Sequence, residues 1–141
     1  MSTKDRSEEM LNRASRWLKA AEAELALGNY DNTMYLAQMA AETAAKAILT
    51  ALGIDYPKEH DISGIFLTLE KRNDLPKWFQ DYVSKISYAI KILAEIRGLA
   101  AYGYEHGLSL RDFEKKAPET VKEARMIFEN AKRLYKEIFK S

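Results

Sequence analysis

Apolar positions recur along this chain at steps of three and four residues, the spacing that lines one face of an α-helix. Leu11, Ala14, Leu18, Ala21 and Leu25 form the first such run, and Leu27, Gly28 and Asn29 make a stop signal after it. Tyr30, Met34, Ala37, Ala41, Ala44, Ile48 and Leu52 form the second, which ends at Gly53. Its line AQMAAETAAKA is rich in alanine, so a partner helix can approach it closely. After the polar turn DYPKEHD, the segment DISGIFLTLEK predicts a short third helix with Ile62, Ile65 or Phe66, and Leu69 inward. RNDLP breaks it.

A fourth helix is expected from Pro76, a residue favoured at a first helical position, with Phe79, Val83, Ile86, Ile90, Leu93 and Ile96 as its stripe. The fifth opens at Ser109, where SLRD resembles a capping box with Asp112 in the usual Glu or Gln position. Pro118 should kink or restart it, and Val121, Ala124, Phe128, Ala131, Tyr135 and Ile138 carry one face onward. The tyrosines at 30, 35, 82, 88 and 135 fall on or beside these stripes and read as core packing with a wet hydroxyl. No alternating pattern competes. The expected fold is all-α, an antiparallel bundle of four long helices plus a short one, as one domain over residues 1–141.

Composition narrows the function. Apolar residues at 47% and charged residues at 30% are the balance of a globular chain. Lys plus Arg is 22 against Asp plus Glu 21, so no bulk positive field draws in nucleic acid or anionic membrane. The absence of cysteine excludes disulfides, thiol nucleophiles and zinc-thiolate sites, and points to a cytosolic compartment. The charged N-terminus is no secretory peptide. The most apolar stretches carry Glu42, Lys46, Lys91, Glu95 and Arg97 and fall short of the ~20 apolar residues of a membrane span. His60 and His106 each have an acidic neighbour, but no HxxxH or HxxE spacing puts two ligands on one helix face. The expectation is therefore no metal and no cofactor.

One stretch departs from the helical pattern. RGLAAYGYEHG, residues 97–107, crowds three glycines, two tyrosines, a histidine and an arginine into eleven positions. One reading is a helix C-terminus in which Arg97 complements the dipole and Gly103 supplies a left-handed cap. The other is a polar site around Arg97.

The line NYDNTMYLAQMAAETAAKAILTALGI resembles the second helix of HEPN domains, whose pattern is GxYxxAxxxAxQAxExxxKAxL, and KEHDI resembles the HDL that leads into that family's next helix. The similarity runs in order from Ala14 through Tyr104. It implies a bundle that dimerises about a two-fold axis. In the family's ribonucleases an Arg-x4–6-His motif ends a helix, and two copies form a composite site. Arg97 matches the arginine, Tyr102 stands five residues on in the histidine position, and Tyr104 matches the tyrosine of an Arg-x4-His-x-Tyr variant. His106 lies outside the usual spacing, although the glycines beside it offer a route for it as a displaced catalytic histidine.

Arginine supplies the cation that a phosphate needs. Tyrosine, with a pKa of ~10, is a poor general base at neutral pH, where histidine is well poised. The expectation is thus a degenerate ribonuclease motif, with Arg97, Tyr102 and His106 as its catalytic-type positions and Arg97, Tyr102 and Tyr104 binding nucleotide or RNA. The resemblance implies a homodimer and a nucleotidyltransferase partner, with this chain the toxin-like half of a toxin–antitoxin pair. A dimeric scaffold with a vestigial site, or an active metal-independent ribonuclease using His106, are the alternatives.

Overall fold

In the computed structural model, which describes residues 1–140, each apolar run of the sequence lies on a helix, and no strand occurs among the described residues. Helix α1 spans Thr3–Ala26, with the Ser2 hydroxyl accepting the Asp5 amide at 3.0 Å as its cap. Gly28, at φ +78°, turns the chain, and the Asn29 amide reaches back to the Glu24 carbonyl at 3.0 Å. Helix α2 spans Tyr30–Ala51 and ends at Gly53, again with positive φ. Only glycine adopts these left-handed angles cheaply, so both stop signals act through the backbone.

The alanine line makes α2 the central helix. Ala40, Ala41, Ala44 and Ala45 are all buried, and α2 touches α1 and both later long helices together. A larger side chain at these positions would force its neighbours apart.

Helix α3, Ser63–Leu67, continues into a 3₁₀ turn over Thr68–Lys71 and packs on α4, Lys77–Tyr102. Phe66 is fully buried and Ile65 only partly, because Phe66 meets Phe79 of α4 edge-to-face at 6.2 Å. Such a pair adds about 0.5–1.5 kcal/mol beyond its buried area. The Ser87 hydroxyl donates to the Ser63 carbonyl at 2.8 Å and fixes the start of α3.

Helix α5 spans Lys116–Ile138. Ser109 opens only a single 3₁₀ turn, Leu110–Phe113, where its amide donates to the Asp112 carboxylate at 2.7 Å. Pro118 marks a restart and not a kink, since the 3₁₀ turn ends at Phe113 and α5 begins anew at Lys116. The proline sits in the first turn, where an amide has no intrahelical acceptor to lose.

Although consecutive long helices, α4 and α5 meet sparsely and leave a groove of about 390 Å³ between them, with Tyr88, Ile92, Ile96 and Glu119 among its walls. They are tied at one end, where Trp78 of α4 donates to Glu137 at 3.0 Å under the Arg133 guanidinium. Tyr82 and Tyr88 are not core residues: Tyr88 is 68% exposed, because it lies at the open groove where α5 stands off from α4. No helix among the described residues is long and apolar enough to cross a membrane.

Candidate functional site

The segment 97–107 is built on a small second core of Met34, Phe113 and Ala117, against which Ile96, Ala100 and Leu108 pack. Helix α4 runs through Arg97 to Tyr102, and Gly103–His106 then tighten into a 3₁₀ turn. Gly103 is not the left-handed residue, since its φ is −58°; Gly107, at φ +81°, takes that role. Gly103 is glycine for a different reason. A Cβ there would lie 2.9 Å from Leu108 Cδ1 and 3.2 Å from its Cβ. Leu108 folds back over the missing side chain, and its amide donates to the Gly103 carbonyl at 3.0 Å.

Arg97 lies inside α4 and is half-buried. Its guanidinium carbon stands 5.1 Å from the Tyr35 ring centroid on α2, and Nη2 donates to the Tyr35 hydroxyl at 3.3 Å. This contact replaces the helix cap allowed by the sequence. No carboxylate pairs with Arg97 among the described residues, and its Nε is buried without an acceptor. A buried unmet donor of this kind costs about 1–3 kcal/mol.

Tyr35 also lines a cavity of about 480 Å³ between α2 and the end of α4, together with Asn32, Leu36, Tyr104, Leu108 and Phe113. Glu24 and Asp31 contribute carboxylates to the same lining. Glu24 is engaged by the Asn29 side-chain amide at 2.6 Å, and Asp31 accepts the Asn32 backbone amide at 2.8 Å. Tyr35 and Tyr104 meet at this cavity, whereas Arg97 reaches it only through its contact with Tyr35 and is not part of the lining. Tyr102, 56% exposed, and His106, also exposed, stay outside this lining.

A second polar cluster lies farther along α2. Gln38, Glu42 and Lys46 follow one another at four-residue steps, and Glu42 accepts from both at 2.9 Å. His60 Nδ1 lies 2.7 Å from the same carboxylate, and Lys46 stands 5.5 Å over the Tyr56 ring. Burial pushes the Glu42 carboxyl up. Hydrogen bonds from Gln38, Lys46 and His60, with the Lys46 charge, outweigh that and hold it below the ordinary carboxylate value. These contacts dock the loop of residues 54–62 onto α2. The i, i+4, i+8 spacing of three polar residues among alanines was the available signal for the cluster. His60 and His106 belong to separate elements, and no group of three or more potential metal ligands gathers among the described residues.

Comparison with solved structures finds the crystal structure of TT1696 from Thermus thermophilus, with a TM-score of 0.70 and 25% identity over 91% of this chain and 97% of that one. Comparison with curated proteins finds no match. The family model for the HEPN domain matches residues 7–140, nearly the whole length that α1 to α5 span, and the chain belongs to the HEPN family.

Proposed function

We propose that this HEPN protein, a single unit over residues 1–141, binds nucleotide or RNA at Arg97 and has little or no ribonuclease activity. The observation that carries the reading is the state of Arg97: a cation without a carboxylate partner among the described residues, held on Tyr35 with a buried donor to spare. Phosphate oxygens suit such a guanidinium. Tyr104, 70% exposed at the cavity edge, offers a ring to a base. Stacking of that kind contributes ~1–3 kcal/mol per base.

Tyr102, a poor general base at neutral pH, is exposed in the motif's histidine position, which favours binding over cleavage. The protein acts as a cytoplasmic homodimer and as the toxin-like partner of a nucleotidyltransferase. The uncovered apolar side chains of α4, among them Tyr88, Leu99 and Tyr102, support a surface that meets a second copy.

The test is calorimetric titration with uridine monophosphate at low salt. Binding should weaken as salt rises and disappear in Arg97→Ala, with helicity unchanged. Equal binding by the two proteins would reduce Arg97 to a packing residue.

A further inference from the structure

The arginines of α1 are segregated from most of its acids. Glu8 lies 3.5 Å from the Tyr135 hydroxyl and Glu22 pairs with Arg125, so both acids face α5. Arg6, Arg13 and Arg16 instead flank a groove of about 320 Å³ between α1 and α2, whose walls include Trp17, Met39 and Thr43. Arg13 stands over the Trp17 ring, 5.2 Å from its centroid. Glu9 is the one carboxylate of this lining, and it meets Arg16 at 3.8 Å with both side chains mostly exposed. Arg6 and Arg13 enter no ion pair among the described residues. A groove with three guanidinium groups and one acid carries a net positive charge on a chain whose overall charge is only +1.

The groove and the Tyr35 contact of Arg97 lie on one face of α2. Tyr35, Met39 and Thr43 lie four residues apart, and such positions share a helix face. Tyr35 holds Arg97 and lines the first cavity; Met39 and Thr43 line the second. The step from Tyr35 to Thr43 is about 12 Å along the axis, the reach of about four nucleotides stacked at ~3.4 Å each.

We propose that the α1–α2 groove is a second subsite for single-stranded RNA, in which Arg6, Arg13 and Arg16 take phosphates of a strand whose other end lies at Arg97. The inference rests on the Arg97 reading and extends it from a nucleotide to a strand. Alternating guanidinium groups and an aromatic ring along an open groove follow a backbone without reading its sequence. A compact phosphate ligand would leave most of this surface unused.

The experiment compares a fluorescent uridine dodecamer with uridine monophosphate in wild type, Arg97→Ala and the double variant Arg6→Gln/Arg13→Gln. The dodecamer should bind more tightly than the monophosphate. The double variant should lose about tenfold in dodecamer affinity at low salt, as two charge-assisted contacts vanish. Its log–log salt slope should flatten by about 1.4, at ~0.7 per phosphate contact, while monophosphate binding stays unchanged. Unchanged dodecamer affinity in the double variant overturns the inference and leaves the Arg97 site standing. So does a variant that shifts sedimentation mass instead of RNA affinity, because the groove is then filled by a second copy. Monophosphate binding indifferent to Arg97→Ala overturns the underlying reading instead.

Discussion

The Glu42 carboxylate and the His60 imidazole meet at 2.7 Å across a sequence separation of 18 residues, and the loop before α3 is fastened to the central helix there. The same carboxylate also carries Gln38 and Lys46. Its folded-state pKa is lowered from the ordinary 4.5, so its contribution is fully present above about that pH and is lost as pH falls through the lowered value. Urea denaturation should therefore show wild-type stability dropping below about pH 4.5. Glu42→Gln should lose about 1–3 kcal/mol at neutral pH, because Lys46 keeps its charge without a partner, and should show a shallower acid slope. An identical pH profile for the two proteins would remove Glu42 from the account.

Gly103→Ala tests the turn after α4. Its backbone is helical, which favours alanine by roughly 0.5–1 kcal/mol, but the new Cβ meets Leu108. Overpacking of this kind costs about 1–3 kcal/mol, so the variant should be the less stable protein. Adding Leu108→Ala should relieve the clash, and thermal melts of the single and double variants would then converge toward Leu108→Ala alone. A single variant as stable as wild type would mean that Leu108 moves aside freely.

Assembly is checked by sedimentation. At micromolar concentration the species should have twice the chain mass, with isologous contact through the uncovered side of α4. Placing a charge there with Tyr88→Lys should shift the protein toward monomer without loss of helicity. A wild-type monomer would remove the composite cleft.

Catalysis is the sharpest point of contrast with the family motif. General acid–base groups typically contribute ~10²–10⁴-fold, so wild type should cleave structured RNA little or not at all. Tyr102→His should raise cleavage, since Arg97 is already positioned by Tyr35. His106→Ala should change nothing. Strong wild-type cleavage abolished by His106→Ala would make the protein an enzyme with a shifted histidine.

The stripes of α4 and α5 were legible because burial follows helical period: Phe79, Val83, Ile86, Ile90 and Leu93 are all inside. Periodicity could not separate Tyr88 from the core, because it assigns a face without saying whether another helix covers it. It could not choose Phe66 over Ile65, which depends on Phe79 in a different helix. At Gly103 the residue type was visible, but the reason was tertiary, a leucine five positions on folding back over it. The arginine of the family motif could be read from the sequence. Its partner Tyr35, 62 residues away, could not, because only the packing of α2 on α4 brings them together.

The chain has two tryptophans, and each lies beside an arginine: Trp17 with Arg13 in the α1–α2 groove, Trp78 with Arg133 where α4 is tied to α5. Indole emission is sensitive to a neighbouring cation and to exclusion of water, so the protein carries two native optical probes at separate places. Trp78→Phe leaves the groove with the sole indole, and Trp17→Phe leaves it at the tied end of α4 and α5. Occupancy of the groove and parting of the two helices can thus be followed independently in the unlabelled chain.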